Sequence, residues 1–592
     1  MLIERESPRL KKGVVNCHSV YLTTILDYFP FPHIRERQKI VLGEVESAIK
    51  SGYRHVFLEA PTGFGKTPVA IALARYLGNS HICTATKDLQ TQYRRDFPFI
   101  VEVKGRGNFS CKVKEDMGLD EDCSYGPCVK DDTYDCKFKT RLMDYKIENE
   151  GSIRENVKLD SFSERKYVDK MNSESKIVEL EWRPCHYFHQ KWIGARSSHT
   201  VYNYRYFLSD VFYAGTAQNR NLLILDEAHQ LESEVGDFRS FTIRKNTLPF
   251  LKMQMPDKSV ESIETWIEFC IELKGKLFDF TEMAGRIIER DNKRVLKEPF
   301  TEKNLIDALE RQTNLASVIG DMKGNKENWI VSGVQRDSSN QLARVILTPL
   351  DISSYFGPIL DKGSHSLFMS ATILSKDYLC KTVGLDPEKV RFIRVEESDF
   401  PVENRLIHMK NIAWLNAKTM IENMPKIAKA VDNIMSIHKH EKGIIHTTSY
   451  SQLQYIKDNL KKENTDRLIE TGSSLNRNEV LEKHFSSKKP TVLISPSFHL
   501  GVDLKDDLSR FQVIVKVPYP DLTDKRIARM KERDPRWYMW NTVLKLVQAY
   551  GRSIRSKDDH AKTYILDSSI SYLLKSAHDL VPNWFTEAIV QT

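Results

Sequence analysis

Apolar positions along this chain follow two periods, and the places where the period changes mark its first elements. His55 to Leu58 is a short, mostly apolar run that predicts a buried strand, and PVAIALARYL from Pro68 spaces its apolar residues as a helix does. Between them lies a glycine-bearing turn. Leu222 to Leu225 are apolar without interruption, the pattern of a parallel strand covered on both faces. Further along, SIETWIEFCIELKGKLFDFTEM and NLIDALERQTNLASVIGDM keep helical spacing, so residues 239–345 are expected to be helical, with their Trp, Phe and Met residues in a core. KIENEGSIRENVKLDSFSERK, residues 146–166, mixes both charge signs and predicts a solvated loop. No run approaches the roughly 18 apolar residues that span a bilayer, and no internal repeat is visible.

Composition narrows the classes. A chain of 592 residues suggests about four domains, and 41% hydrophobic with 28% charged residues excludes disorder. The net charge of +8 permits a polyanionic partner without demanding one. The start, MLIERESPRLKK, lacks the apolar segment of a secretory signal, so a cytoplasmic location without a membrane partner is expected. In that compartment thiols stay reduced. Cys123, Cys128 and Cys136 crowd one polar stretch, which points to metal or redox chemistry rather than to thiols packed as small hydrophobes.

The turn after His55–Leu58 reads Ala60-Pro61-Thr62-Gly63-Phe64-Gly65-Lys66-Thr67. A strand, a glycine turn and a helix in this order form a phosphate-binding loop: backbone amides and the helix N-terminus face the phosphates, Lys66 reaches the β/γ-phosphates, and the Thr67 hydroxyl ligates Mg²⁺. Ala60 departs from the first glycine of the general pattern. Asp226 and Glu227 follow the apolar run at 222–225, at the carboxyl end where open α/β sheets hold their ligands. There Asp226 would hold Mg²⁺ and Glu227 would orient the attacking water. Together the two halves predict an ATPase.

APTGFGKT with DEAH resembles the superfamily 2 helicases, and further motifs follow in that family's order: TATKDLQTQY (84–93), MSATI (369–373), HTTSY (446–450), SPSFHLGVDLKD (495–506) and QAYGRSIRSKDDHA (548–561). The resemblance implies that Arg552 and Arg555 supply charge to the γ-phosphate, and that Gln548 touches the nucleotide. It also implies that Asp503 couples nucleic-acid contact to the site, that Ser370 and Thr372 link it to a second motor domain, and that Gln38 reads the adenine.

The stretch between Tyr93 and Asn221 exceeds any connecting loop. It opens with KGRGNFSC, ending at Cys111, and later carries WRPCHYFHQK around Cys185. This frame, with YNYRYFLSD (202–210) and DPRWYMWNTVLKLVQAYGRSIRSKDDHA (534–561), resembles the XPD–DinG family of iron–sulfur helicases. The implied fold is α/β. Two RecA-like motor domains, 1–104 with 199–238 and 346–386, and then 387–592, carry an iron–sulfur domain (105–198) and a helical arch (239–345) inserted in the first.

The implied [4Fe–4S] ligands are Cys111, Cys128, Cys136 and Cys185, with Cys123 as the alternative to Cys128; a zinc site of Cys128, Cys136, Cys185 and His186 or His189 is the rival. The implied activity is ATP-dependent translocation on single-stranded DNA, 5′→3′, by a monomer that unwinds forked DNA in repair, nucleoid-associated in a prokaryote. An RNA helicase, or an ATP-driven scaffold among repair or transcription proteins, is the alternative. Arg106, Phe109, Tyr202, Tyr204, Trp537, Tyr538 and Trp540 are candidates for stacking or phosphate contact, although each aromatic alone is better explained by core packing.

Overall fold

In the computed structural model, the described residues are 24–130, 134–139, 185–247, 251–257, 259–290, 301–470, 477–496, 504–554 and 558–590. The mixed-charge loop at 146–166, Asp503 and Arg555 lie outside them.

Two seven-stranded, wholly parallel sheets organise the described residues. In the first the strand order is Val390–Arg394, His55–Glu59, Gly363–Ser370, Arg220–Asp226, Ser80–Thr84, His199–Asn203 and Val101–Glu102. Every residue of His55–Glu59 and of Ser80–Thr84 is buried, as a parallel sheet covered by helices on both faces requires. The second runs Leu468–Glu470, Val492–Ser495, Gly443–His446, Phe511–Ile514, Lys562–Asp567, Ile407–Ala413 and Ile589–Val590.

The boundary expected between 386 and 387 falls too early. Val390–Arg394 pairs in parallel with His55–Glu59 at the edge of the first sheet, because Val390 and Ile393 bury themselves there; the second sheet begins only at Ile407. The segment expected to be helical is mixed. Ile263–Arg290 and Glu302–Gly324 are its long helices, but they pack with a three-stranded antiparallel sheet of Phe241–Arg244, Trp329–Arg336 and Leu342–Pro349. Trp266, Phe269, Leu315 and Met322 share one core with Val331 and Val345, so the aromatics are indeed core. The last strand of this sheet crosses residue 345, the expected limit.

Between Val101–Glu102 and His199–Asn203 the described chain has only short elements, the 3₁₀ turns Arg106–Asn108 and Cys123–Tyr125 and the helices Lys112–Asp116 and Pro127–Lys130, before the helix His186–Arg196. Their small core contains Cys111, Cys123, Cys136, Cys185, Val113 and Tyr187. Tyr202, Tyr204, Trp537, Tyr538 and Trp540 are all buried, which is the packing role expected of them.

Candidate nucleotide site and cysteine cavity

The strands His55–Glu59 and Arg220–Asp226 flank Gly363–Ser370, so three motif-bearing loops leave the same edge of the sheet side by side. The first is the glycine loop. Gly63 and Gly65 hold φ of 82° and 89°, a left-handed backbone that glycine adopts without steric cost. Lys66 opens the helix Lys66–Leu77, and its ammonium donates to the Ala60 carbonyl at 2.9 Å. Gln38 is buried and braces the loop: its Nε2 donates to the Phe64 carbonyl at 2.8 Å, and its Oε1 accepts from the Arg35 amide at 3.1 Å.

The second loop carries the acids. Asp226 Oδ2 accepts from the Tyr93 hydroxyl at 3.0 Å, and Oδ1 from the Glu227 amide at 2.9 Å. Tyr204 donates to the Asp226 carbonyl at 2.7 Å. Glu227 takes φ 55°, a strained conformation for a residue with a side chain. Burial, then the Glu227 carboxylate, push the Asp226 carboxyl up from its ordinary value. Burial opposes ionisation of Glu227 too, but the His229 ring at 3.2 Å, Lys66 and Arg552 outweigh it and hold Glu227 down. The pair therefore divides its charge unequally: the acid nearest the cations keeps it.

The third loop connects these to the second sheet. Ser370 Oγ bonds His229 Nδ1 at 2.9 Å and accepts from the Thr372 amide at 3.0 Å. Gln548 donates to Thr372 Oγ1, and its own Oε1 accepts from Arg552 at 3.1 Å. Arg552 is buried in this contact. Thus Gln38, Lys66, Asp226, Glu227, Ser370, Thr372, Gln548 and Arg552 come to one place, drawn from both sheets.

Sequence reasoning missed four supports. Glu59, buried under the loop, accepts from the amides of Ile373 (2.5 Å) and Leu374 and pairs with Arg394 at 2.8 Å. Tyr93 ends TATKDLQTQY and His229 ends DEAH, and nothing in either string names their partners. Glu232, five residues past Glu227, accepts from Arg526 at 2.8 Å and from the Trp537 indole at 3.1 Å. An acid in the helix after Asp226–Glu227 was the available signal for Glu232; none marked its distant partners.

The cysteines meet as well. Cys111, Cys123, Cys128, Cys136 and Cys185 line a single cavity with Arg106, Lys112, Phe138 and Phe188. Cys123 Sγ lies 3.8 Å from Cys185 Sγ, and Arg106 Nη1 donates to Cys128 Sγ at 3.4 Å. Cys123, expected as the alternative to Cys128, therefore faces the same space as the other four. Sharing a proton with Cys123 holds the Cys185 thiol low and raises that of Cys123. Among the described residues no three His, Cys, Asp or Glu side chains are grouped to hold a metal ion; the thiols are set around the cavity wall. Arg106 lies over the Tyr187 ring, 4.7 Å from its centroid.

Two parallel α/β sheets, with a phosphate-type loop and paired acids on one and a buried arginine from the other, define a two-domain nucleotide-driven motor. Comparison with known proteins carries this further. Family models for a type III restriction enzyme res subunit and for a helicase C-terminal domain match residues 31–255 and 431–588.

The protein YoaA of Haemophilus influenzae, named an ATP-dependent DNA helicase, is 21% identical over 87% of this chain and 88% of its own. The ATP-dependent DNA helicase DinG of Photobacterium profundum is 24% identical over 50% of this chain, a match that spans 45% of its own length. A solved XPD helicase superposes with a TM-score of 0.58 at 15% identity, covering 93% of this chain and 99% of that one, and S. tokodaii Xpd4 with 0.52 at 16%, covering 94% and 99%. Together the two family models, the helicase relatives and the XPD fold support a superfamily 2 helicase of the XPD–DinG type.

Proposed function

We propose that this protein is an ATP-dependent DNA helicase that moves along single-stranded DNA and opens forked duplexes. The observation that carries the reading is the meeting of Lys66, Asp226 and Glu227 on one sheet with Gln548 and Arg552 from the other, through Thr372. Such an arrangement couples chemistry to domain movement, because the site is complete only when the sheets are docked. The DNA helicase names of the relatives support the substrate. Movement 5′→3′ and a place in repair rest on the family resemblance.

In this reading the loop amides of residues 60–67 and Lys66 bind the phosphates. Thr67 and Asp226 would hold Mg²⁺, for which a buried carboxylate beside a helix-opening hydroxyl is a suitable oxygen donor set; the ion supplies charge neutralisation on the phosphates. Glu227, kept ionised by His229, Lys66 and Arg552, orients the attacking water. Arg552 stabilises charge on the γ-phosphate, with Arg555 as its companion. Gln548 senses the nucleotide through Thr372, Asp503 links it to bound DNA, and Gln38 faces the base.

The cysteine cavity suits a [4Fe–4S] cluster held by Cys111, Cys128, Cys136 and Cys185: all are thiols, all line one space, and Arg106 and Lys112 beside them offset thiolate charge. A cluster would supply a cross-link between chain segments that share little other core. Residues 105–198 and 239–349 then serve as the cluster domain and arch. The test of the motor assignment is Lys66→Ala: ATP turnover should vanish while single-stranded DNA binding stays within about twofold, and a variant that hydrolyses ATP but no longer binds DNA would overturn it.

A further inference from the structure

Among the tryptophans of the described residues, Trp414 alone stands well out of the fold, 46% exposed. It follows the strand Ile407–Ala413 at the carboxyl edge of the second sheet. Tyr572, 53% exposed on the helix Ser569–Ser576, lies beside it; the ring centroids are 6.2 Å apart and the planes 50° from parallel. Neither ring joins the cores of this sheet, so both keep surface open to a ligand.

The backbone beneath the pair is held firmly. The Trp414 carbonyl accepts from Thr419 Oγ1 at 2.6 Å and from Asn423 Nδ2 at 3.4 Å. Asn416 Oδ1 accepts from the Lys418 and Thr419 amides at 2.8 and 3.0 Å. Below them the wholly buried carboxylate of Asp567 gathers three loops. Its Oδ1 accepts from the Leu415 amide at 3.3 Å and the Ser569 amide at 3.0 Å, and its Oδ2 from the Val517 amide at 3.1 Å. The first loop carries Trp414, and the second begins the helix of Tyr572. The third runs on to Arg526, which donates to the Pro349 carbonyl at 3.2 Å and pairs with Glu232 at 2.8 Å. One buried acid thus ties the exposed rings to the chain that crosses toward the first sheet.

Lys418 follows Trp414 by four residues, and Lys575 stands three beyond Tyr572, hence on the same helix face; both are exposed. Flat rings held rigid, flanked by cations and placed at the ligand-bearing edge of a parallel sheet suit an unpaired strand: rings meet bases and ammonium groups meet phosphates. We propose that Trp414, walled by Tyr572, stacks on a base of the single-stranded DNA where it crosses the second sheet, with Lys418 and Lys575 beside the flanking phosphates. This rests on the DNA reading above and gives it a contacting residue. Through Asp567 the stacked base is linked to the segment of Arg526, and so to the docking of the two sheets.

The experiment uses the full chain and two oligomers of one length, oligothymidylate and its abasic counterpart, with affinity read by fluorescence anisotropy. Trp414→Ala should bind oligothymidylate about tenfold more weakly than wild type, the loss of one base–aromatic stack. Its affinity for the abasic oligomer should stay within about twofold. Trp414→Phe should restore most of the loss, and Trp414→Leu none of it. In wild type, photocross-linking with an iodouracil-substituted oligomer should label the peptide that holds Trp414 or the one that holds Tyr572. Oligothymidylate affinity within about twofold of wild type in the Ala and Leu variants would overturn the proposal. Equal weakening toward both oligomers would overturn it too, by making Trp414 a support of its loop. Cross-links confined to other peptides decide against it even where a substituted chain does not fold. Wild-type protein that binds neither oligomer would instead defeat the DNA reading itself.

Discussion

Glu227 shows how much a single residue is made to bear. It occupies a left-handed backbone conformation at φ 55°, which costs about 1–2 kcal/mol for a residue with a Cβ. Its carboxylate is kept ionised in a half-buried place by three cationic or hydrogen-bonding neighbours, His229, Lys66 and Arg552. Replacing it by Gln preserves shape and removes the charge. Glu227→Gln should therefore still bind ATP while turnover falls at least about 100-fold, the usual scale for a lost general base; single-turnover hydrolysis beside nucleotide binding measures both, and near-normal turnover would remove Glu227 from the water-positioning role. Lys66→Ala differs in kind, because it strips charge that the phosphates themselves need.

Among elements, the contrast lies between the strands and the cysteine segment. Strand ends are fixed by ladders, and Glu59 adds to them by joining the ends of three neighbouring strands through Arg394, Ile373 and Leu374. Glu59→Ala should destabilise the first sheet by about 1–3 kcal/mol, the cost of leaving buried polar partners unpaired, read as a lowered midpoint in urea unfolding. The cysteine segment has only a small core. If Cys111, Cys128, Cys136 and Cys185 hold the cluster, anaerobically purified protein should be brown with about four irons per chain. Each Cys→Ser variant of the four should lose colour and unwinding yet keep DNA-independent ATP turnover, since Lys66 and Glu227 stand elsewhere. Cys123→Ser should stay brown. A bleached Cys123→Ser beside a brown Cys128→Ser would exchange their roles, and a colourless wild type carrying one zinc would replace the cluster.

For the molecule as a whole, the decisive contacts cross between the sheets. Glu232 follows the paired acids on one side and takes Arg526 and Trp537 from the other; the Trp540 indole donates to the Ile373 carbonyl at 2.9 Å, and Lys381 pairs with Asp534 at 2.9 Å. Glu232 and Arg526 are both largely sheltered from water, 12% and 14% exposed, so screening takes little from their attraction. Glu232→Ala should loosen the docked arrangement, lowering DNA-stimulated ATP turnover about tenfold while basal turnover persists. ATPase rates with and without an oligothymidylate check it; equal loss of both rates would make Glu232 a general stabiliser of the fold.

The sequence by itself determined whatever is local. A strand, a glycine turn and a helix are contiguous at 55–77, so their periodicity announced the phosphate loop, and the apolar run before Asp226 announced its strand in the same way. Motif order carried the two-sheet architecture. Tertiary structure decided what joins distant residues. Nothing local tells Val390 and Ile393 that their partner is His55–Glu59 rather than the next sheet, because a short parallel strand reads the same wherever it pairs. The antiparallel strands at 329–349 were hidden beside two long amphipathic helices, whose repeated period dominates any window that contains both. Trp414, one aromatic among many, acquires meaning only where the fold leaves its ring exposed beside Tyr572. Side-chain type and spacing encode backbone form; contact between residues hundreds of positions apart is set by how whole sheets bury their faces, and that is fixed only when the chain has folded.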